Sequence, residues 1–233
     1  MTPKEFNDVL ILLAAQGDLK KAVEIKHYFA GMVEKPADAK PVPTDKTPDG
    51  VYLYFGPGCY KPYTPGDVSD EDKARTVGIG YKLGSKAVVV ALSDIPGNED
   101  GDVTLTTAKS PDGYDESAYR GWETANADWD GQGNTDRLRA AGILNPQIDD
   151  NLPAQFYVPA MGEMRFIHLF LSEINQALVA VGGSKIAPDW WYWSSTEYST
   201  NSAWTLHLNY GHMYYYTKAS YTHRVRPVSA FIL

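Results

Sequence analysis

The chain has one cysteine, Cys59, among 233 residues. No intrachain disulfide can form, and no cysteine-based metal cluster can be assembled. A reactive thiol would need a positioned histidine or another activator. Nothing near Cys59 in the sequence supplies one, so it is expected to be a small buried or partly buried residue. Positive charge is scarce as well. Lys and Arg number 21 against 29 Asp and Glu, for a net charge of -8. Such a balance argues against nucleic acid as a partner, because binding phosphate needs a basic surface. No apolar run approaches the ~20 residues of a membrane-spanning helix. Val9–Ala15 is apolar, but Glu5 and Asp8 precede it against a single Lys4. It therefore lacks the positive flank of an export signal, and synthesis and assembly in the cytoplasm are expected.

Another absence is local. After Glu197 the chain contains no Asp or Glu, and its only formal positive charges there are Lys218, Arg224 and Arg226. General acid–base chemistry by a carboxylate pair is excluded within that stretch. No catalytic residue, metal ligand set or cofactor is expected anywhere in the chain.

What is present falls into three parts. Residues 1–35 read as an N-terminal helical segment for assembly or docking. Thr2-Pro3-Lys4-Glu5 resembles a capping box, and Phe6, Val9, Leu10, Leu13, Ala22, Val23, Ile25 and Phe29 form a helical stripe. Residues 36–50 carry Pro36, Pro41, Pro43 and Pro48 and read as a linker. Residues 51–233 read as an α+β domain with two helices packed on small twisted sheets. Strands are predicted at Val51–Phe55, Val77–Tyr81, Ala87–Leu92 and Phe156–Pro159. Residues 94–134 read as long loops. Helices are predicted at Thr135–Ala141 and, most strongly, Gly162–Val181, whose apolar side includes His168 as a core histidine.

From Trp190 onward stand four of the six Trp and seven of the sixteen Tyr. Trp204, Leu206 and Leu208 alternate with Thr205, His207 and Asn209, the pattern of a strand with one face buried. Asn209-Tyr210-Gly211-His212 supplies a hairpin turn, Met213–Thr217 a second strand, and Arg224–Val228 a closing strand. The polar face and loop tips use Tyr, His, Asn, Ser and Thr in place of long charged side chains. That is the composition of paratopes, where tyrosine gives contact area with few rotors to freeze. The opposing explanation is cross-strand ladders of half-buried tyrosine. Trp193, Trp204, Leu206, Leu208, Val225 and Val228 are expected inside. Arg224 and Arg226 are expected to bond backbone or carboxylates such as Glu163 or Glu197.

Trp193-Ser194-Ser195-Thr196-Glu197-Tyr198, Ala203-Trp204 and Arg224–Phe231 resemble the end of a diversity-generating retroelement variable protein. Gly131–Asp136 and Phe156–Met164 are similar to parts of related lectin-like domains. The resemblance covers residues 75–233 and implies a C-type lectin-like fold of the formylglycine-generating-enzyme type, with a variable region over 190–233. In such proteins adenine-directed randomisation of asparagine codons cannot yield Lys, Glu, Gln, Met or Trp. Those types stand here as Trp204, Met213 and Lys218, between candidate variable positions that also include Ala219 and Thr222. The resemblance implies a ligand surface of Tyr198, Asn201, Thr205, His207, Asn209, Tyr210, His212, Tyr214, Tyr215, Tyr216, Thr217, Tyr221 and His223. It implies a cell-surface protein or glycan as ligand, and a place on a virion tail or bacterial cell surface, as a tail-tip receptor-binding protein or adhesin.

Two alternatives stay open. One is a fimbrial or surface adhesin that binds carbohydrate. Calcium could assist it through Asn134, Asp136, Asp149, Asp150 and Asn151, although the sugar-binding tripeptides of C-type lectins are missing. The other is a metal site formed by His207, His212 and His223. The apolar stripe in residues 1–35 further predicts a homo-oligomer, a trimer if this is a fibre tip. Light scattering should give a multimeric mass for the full chain and a monomer for a version starting at Pro48. A monomeric mass for both would remove the idea.

Overall fold

The computed structural model describes residues 47–111 and 121–231. The expected N-terminal helices and residues 36–46 of the linker lie outside the described residues. The fold is α+β, with helices and two antiparallel sheets. The chain divides into two compact units.

The first unit takes its described residues from 47–92, 169–185 and 230–231. It contains β1 (Gly50–Gly56), β2 (Cys59–Pro62), α1 (Asp70–Arg75), β3 (Gly78–Leu83) and β4 (Lys86–Ala91). The strand order is β2-β1-β3-β4, with the short terminal strand β8 (Val228–Ala230) after β4. Both faces are buried. On one, Leu53, Ile79 and Val90 lie in register, and helix α6 (Leu171–Ala180) packs against β1 and β3. Phe170 stacks on Tyr81 at 3.9 Å between ring centroids. On the other, Phe231 sits among Tyr52, Tyr54 and Tyr60. It fits because β3 has Gly80 there, where a Cβ would stand 3.0 Å from the ring. Helix α1 and strand β2 escape the periodicity argument because they are short. Ser69 and Asp72 cap α1 reciprocally. Cys59 is exposed rather than buried, because it opens the short edge strand β2.

The second unit takes residues 93–168 and 186–229. It contains α2 (Trp122–Ala127), α3 (Gly131–Ala140), α4 (Pro146–Asp149), α5 (Met161–Leu169, ending at the unit's boundary), β5 (Trp191–Glu197), β6 (Ser202–His207) and β7 (His212–Thr217). The three strands pair antiparallel in the order β5-β6-β7. Its core gathers Val103, Leu105, Leu138, Ile148, Val158, Trp193, Ala203 and Val225. Trp204, Leu206, Leu208 and Val228 are buried as expected.

Several expectations are corrected. The helix over 162–181 is two helices, broken at Phe170 (φ -122, ψ 21), whose ring is committed to Tyr81. The helix expected at 135–141 starts at Gly131, where Asp130 accepts from the Gly133 N–H. The region 94–134 is not all loop, since it contains α2. Residues 156–159 make only a bridge from Tyr157 to Val228, and 224–227 only a bridge from Arg224 to Tyr192. Pro227 has no N–H to continue that ladder.

Helix α5 enters at a close crossing. The Gly162 N–H donates to Asp128 O at 2.8 Å, and a Cβ on Gly162 would stand 2.4 Å from that oxygen. Gly162→Ala must therefore move backbone, and should cost roughly 1–3 kcal/mol. Gly142→Ala is not a fair control, because its φ is positive. Gly121, with a single side-chain neighbour, should tolerate Ala better. Equal urea midpoints for Gly162→Ala and Gly121→Ala would contradict this packing.

Candidate functional site

The site grows from the hairpin of β6 and β7. His207 pairs with His212, and the four residues between them close the turn, with Gly211 at φ 65. That conformation suits glycine, and a Cβ there would also meet His168 Nε2 at 2.8 Å. Beneath the turn lies Arg165, buried, donating to the Gly211 carbonyl. Burial pulls the Arg165 pKa down to about 10 and that of His168 to about 4. His168 thus packs as a neutral ring under the turn.

The far end of the hairpin is held by a buried ion pair. Lys218 is 0% exposed and contacts the Glu197 carboxylate at the end of β5. Ser110 completes the cluster, accepting from Lys218 Nζ at 2.7 Å and donating to Glu197. Burial pushes the Lys218 pKa down to about 7. The Lys218 main chain adds bonds to Asn201, Leu105 and Thr106. A third anchor is Asp94, which receives Arg226 Nε at 2.6 Å and the Tyr192 hydroxyl at 3.2 Å, with Arg224 at 3.8 Å. Asp94 thus replaces Glu163 and Glu197 as the partner expected for these arginines. Glu163 instead accepts from Tyr157 and the Ala160 N–H.

Register sorts the aromatic residues. Trp191, His207 and His212 lie side by side across the three strands, as do Trp193, Thr205 and Tyr214. Tyr216 falls on the same face, opposite Ala203. Rings run in contact along it. Tyr210 is 5.6 Å from His212 and 5.0 Å from His207, and His207 is 5.2 Å from Trp191. Trp191 is 5.8 Å from Tyr216, which lies 5.1 Å from Tyr214, 5.0 Å from Tyr221 and 4.6 Å from His223. Tyr210, Tyr214 and Tyr221 are 61%, 51% and 53% exposed. His207, Tyr216 and His223 are half-buried, and burial takes His223 to about 4. His212 and Asn209 are exposed.

Some predicted residues sit elsewhere. Thr205 is 0% exposed, because β6 is the central strand and both its faces are covered; its hydroxyl donates to Tyr214 O at 3.1 Å. Tyr215 and Tyr198 lie on the opposite face, stacked at 3.7 Å beside Trp204. Thr217, Ala219 and Thr222 are exposed at the hairpin's end, and Asn201 is exposed in the β5–β6 turn.

Two members of the site were not singled out in the sequence. Trp191 occupies the centre of the ring array; standing two residues before Trp193, it had to share its face. Asp189 arrives from outside the carboxylate-free stretch and accepts from Asn209 at 2.8 Å. Among the described residues, no group of three His, Cys, Asp or Glu is arranged to hold a metal. Of the residues considered for calcium, Asp136 and Asp149 both bind Arg139, and Asn134 donates to Asp128.

The molecule is therefore an α+β protein with an aromatic face on a three-stranded sheet. In fold it is similar to a fimbrial protein from Bacteroides ovatus ATCC 8483, at 15% sequence identity and a TM-score of 0.55. The similarity covers 78% of this chain and 48% of that one, so this chain spans about half the length of that protein. No family model matches the sequence, and no curated protein matches it. No described helix is long and apolar enough to cross a membrane.

The buried cluster is testable apart from the face it supports. Glu197→Gln or Lys218→Met should each cost about 3–5 kcal/mol, since either strands a buried charge. The double variant should recover part of that loss, because the two effects are coupled. Strictly additive losses in urea unfolding would mean that the two groups do not act as a pair.

Proposed function

We propose that this chain is a diversified binding protein: a tail-tip receptor-binding protein or surface adhesin that recognises a cell-surface protein or glycan. The observation that carries this reading is the ring array running from Tyr210 through His207, Trp191 and Tyr216 to Tyr221. A monomeric soluble protein has reason to avoid a contiguous exposed aromatic patch unless something docks there. The chemistry of the patch suits adaptable recognition, with tyrosines for area and His, Asn and Thr for hydrogen bonds. The patch is anchored at both ends by buried contacts, and a preorganised surface lowers the ordering cost of binding.

The same reading assigns the chain to the diversity-generating retroelement variable proteins, with a C-type lectin-like fold. The placement of residue types is in its favour. Lys218 and Trp204, which adenine randomisation cannot produce, are buried frame. Tyr210, His212, Tyr214 and Tyr221, which it can produce, are exposed. Function here rests on the site and not on the fold, which serves many roles. The neighbouring DNA gives an independent check. A near-copy of the end of this gene, with adenines at the codons of the exposed residues and beside a reverse transcriptase gene, is expected.

The experiment uses fluorescently labelled full chain on a panel of fixed bacterial cells and on a glycan array. The parent should decorate at least one surface. The variant Tyr210→Ser/Tyr214→Ser/Tyr221→Ser should lose that labelling with little change in melting temperature, since exposed substitutions usually fall within about 0.5 kcal/mol each. Labelling unchanged by the triple variant would remove the binding face. So would labelling lost together with the fold.

A further inference from the structure

Resting on the reading of this face as a binding surface, we infer that its ligand is a polypeptide, bound in extended form as a fourth strand on the open edge of β7. The ladder sets which groups are available. Lys218 N donates to Asn201 O at 2.9 Å, directly across the hairpin. In an antiparallel pair the bonded and non-bonded positions alternate. Residues 216, 214 and 212 therefore turn their backbone groups towards β6. Met213, Tyr215 and Thr217 turn theirs to the open side. Thr217 O is taken by Tyr221 N at 3.0 Å. Among the described residues, no backbone bond reaches Met213 or Tyr215 from the open side.

The other sheet edges are closed or guarded. The outer side of β5 is used, because Trp193 N donates to Arg224 O, Arg224 N to Trp191 O, and Ser195 N to Pro159 O. Strand β2 has four residues, two of them Lys61 and Pro62, and β8 has three. Lysine, proline and shortness are the usual protections against edge pairing. Strand β7 has none of them. It is six residues long, pairs with β6 without a register shift, and has no Lys, Glu, Asp or Pro.

The rings indicate the occupant. A docked strand sends alternate side chains to opposite faces of the sheet. Strand β7 presents aromatic surface on both: Tyr214 and Tyr216 on one side, Tyr215 stacked with Tyr198 on the other. A sugar ring would need only one of these platforms. Little charge surrounds them: Asp189 stands at the turn end of the hairpin, bonded to Asn209. No carboxylate follows Glu197, Lys218 and Arg226 are buried and bonded to Glu197 and Asp94, and Arg224 lies against Asp94 and Trp190. The segment that fits is therefore about five residues long, extended, and rich in uncharged side chains. The main chain would give affinity and the flanking rings specificity.

The test pans a phage-displayed library of random linear dodecapeptides against immobilised full chain, with a glycan array in parallel. Peptides rich in uncharged residues should be enriched. A synthetic copy should slow hydrogen exchange of the Met213 and Tyr215 amides at least tenfold by NMR. N-methylation at alternate peptide residues should weaken binding at least tenfold in one register and little in the other. Met213→Pro, which removes an outward N–H, should also weaken it at least tenfold. Enriched peptides that leave the two amides unprotected overturn strand addition, and so does retention by glycans alone. Both outcomes leave the binding face standing. If the two amides are protected by self-association without peptide, the occupant is a second copy and the inference fails. Absence of any retention removes both readings.

Discussion

The buried contact between Lys218 and Glu197 is the constraint on which the hairpin depends. A lysine ammonium with no exposed surface is tolerated only where a carboxylate and further hydrogen bonds replace water. Here Glu197 and Ser110 do so, and they come from distant parts of the chain. The pair fixes the end of β7 against the end of β5. It thereby determines where the loop of 219–223, with Tyr221 and His223, leaves the sheet. At the other end, Arg165 holds the turn through Gly211. A strand pinned at both ends can expose uncharged aromatic residues between them without depending on those residues for its own stability.

That division of labour explains the distribution of charge. The cations of the carboxylate-free stretch are spent on Glu197 and Asp94, inside or beside the core. What the rings present is neutral, with Asp189 standing at the turn beside Asn209, and contacts between neutral groups depend little on ionic strength. Substitutions at the exposed rings Tyr210, Tyr214 and Tyr221 would therefore alter contact chemistry and leave the frame's electrostatics untouched.

The inside–outside pattern of the hairpin was legible in the sequence because alternation is enforced by the pleat. Trp204, Leu206 and Leu208 are buried, and Tyr210, His212 and Tyr214 are exposed. Thr205 was misread because alternation identifies two faces but not whether the strand is central, and a central strand with covered faces buries both. Tyr198 and Tyr215 stand on the opposite face from Tyr214 and Tyr216, because composition identifies rings as a group, while register divides them. The helix break at Phe170 could not be seen, since the apolar stripe continues through it and the cause is a ring on β3. The partners of Arg224 and Arg226 were likewise set by a residue, Asp94, more than a hundred positions away.

The helix break has a further consequence, for the order of events during synthesis. It hands the chain from the second unit back to the first, and the chain returns once more after 229. The four strands β1 to β4 leave the ribosome early, yet the groups that cover their two faces, Phe170 with α6 and finally Phe231, come much later. Until then the sheet has open apolar surface. Contacts of such long sequence separation are slow to form, and nascent chains in that condition are prone to aggregate. The first unit is therefore the first to be translated and the last to be complete, and a chain truncated shortly before Phe231 would lack the ring that packs on its sheet.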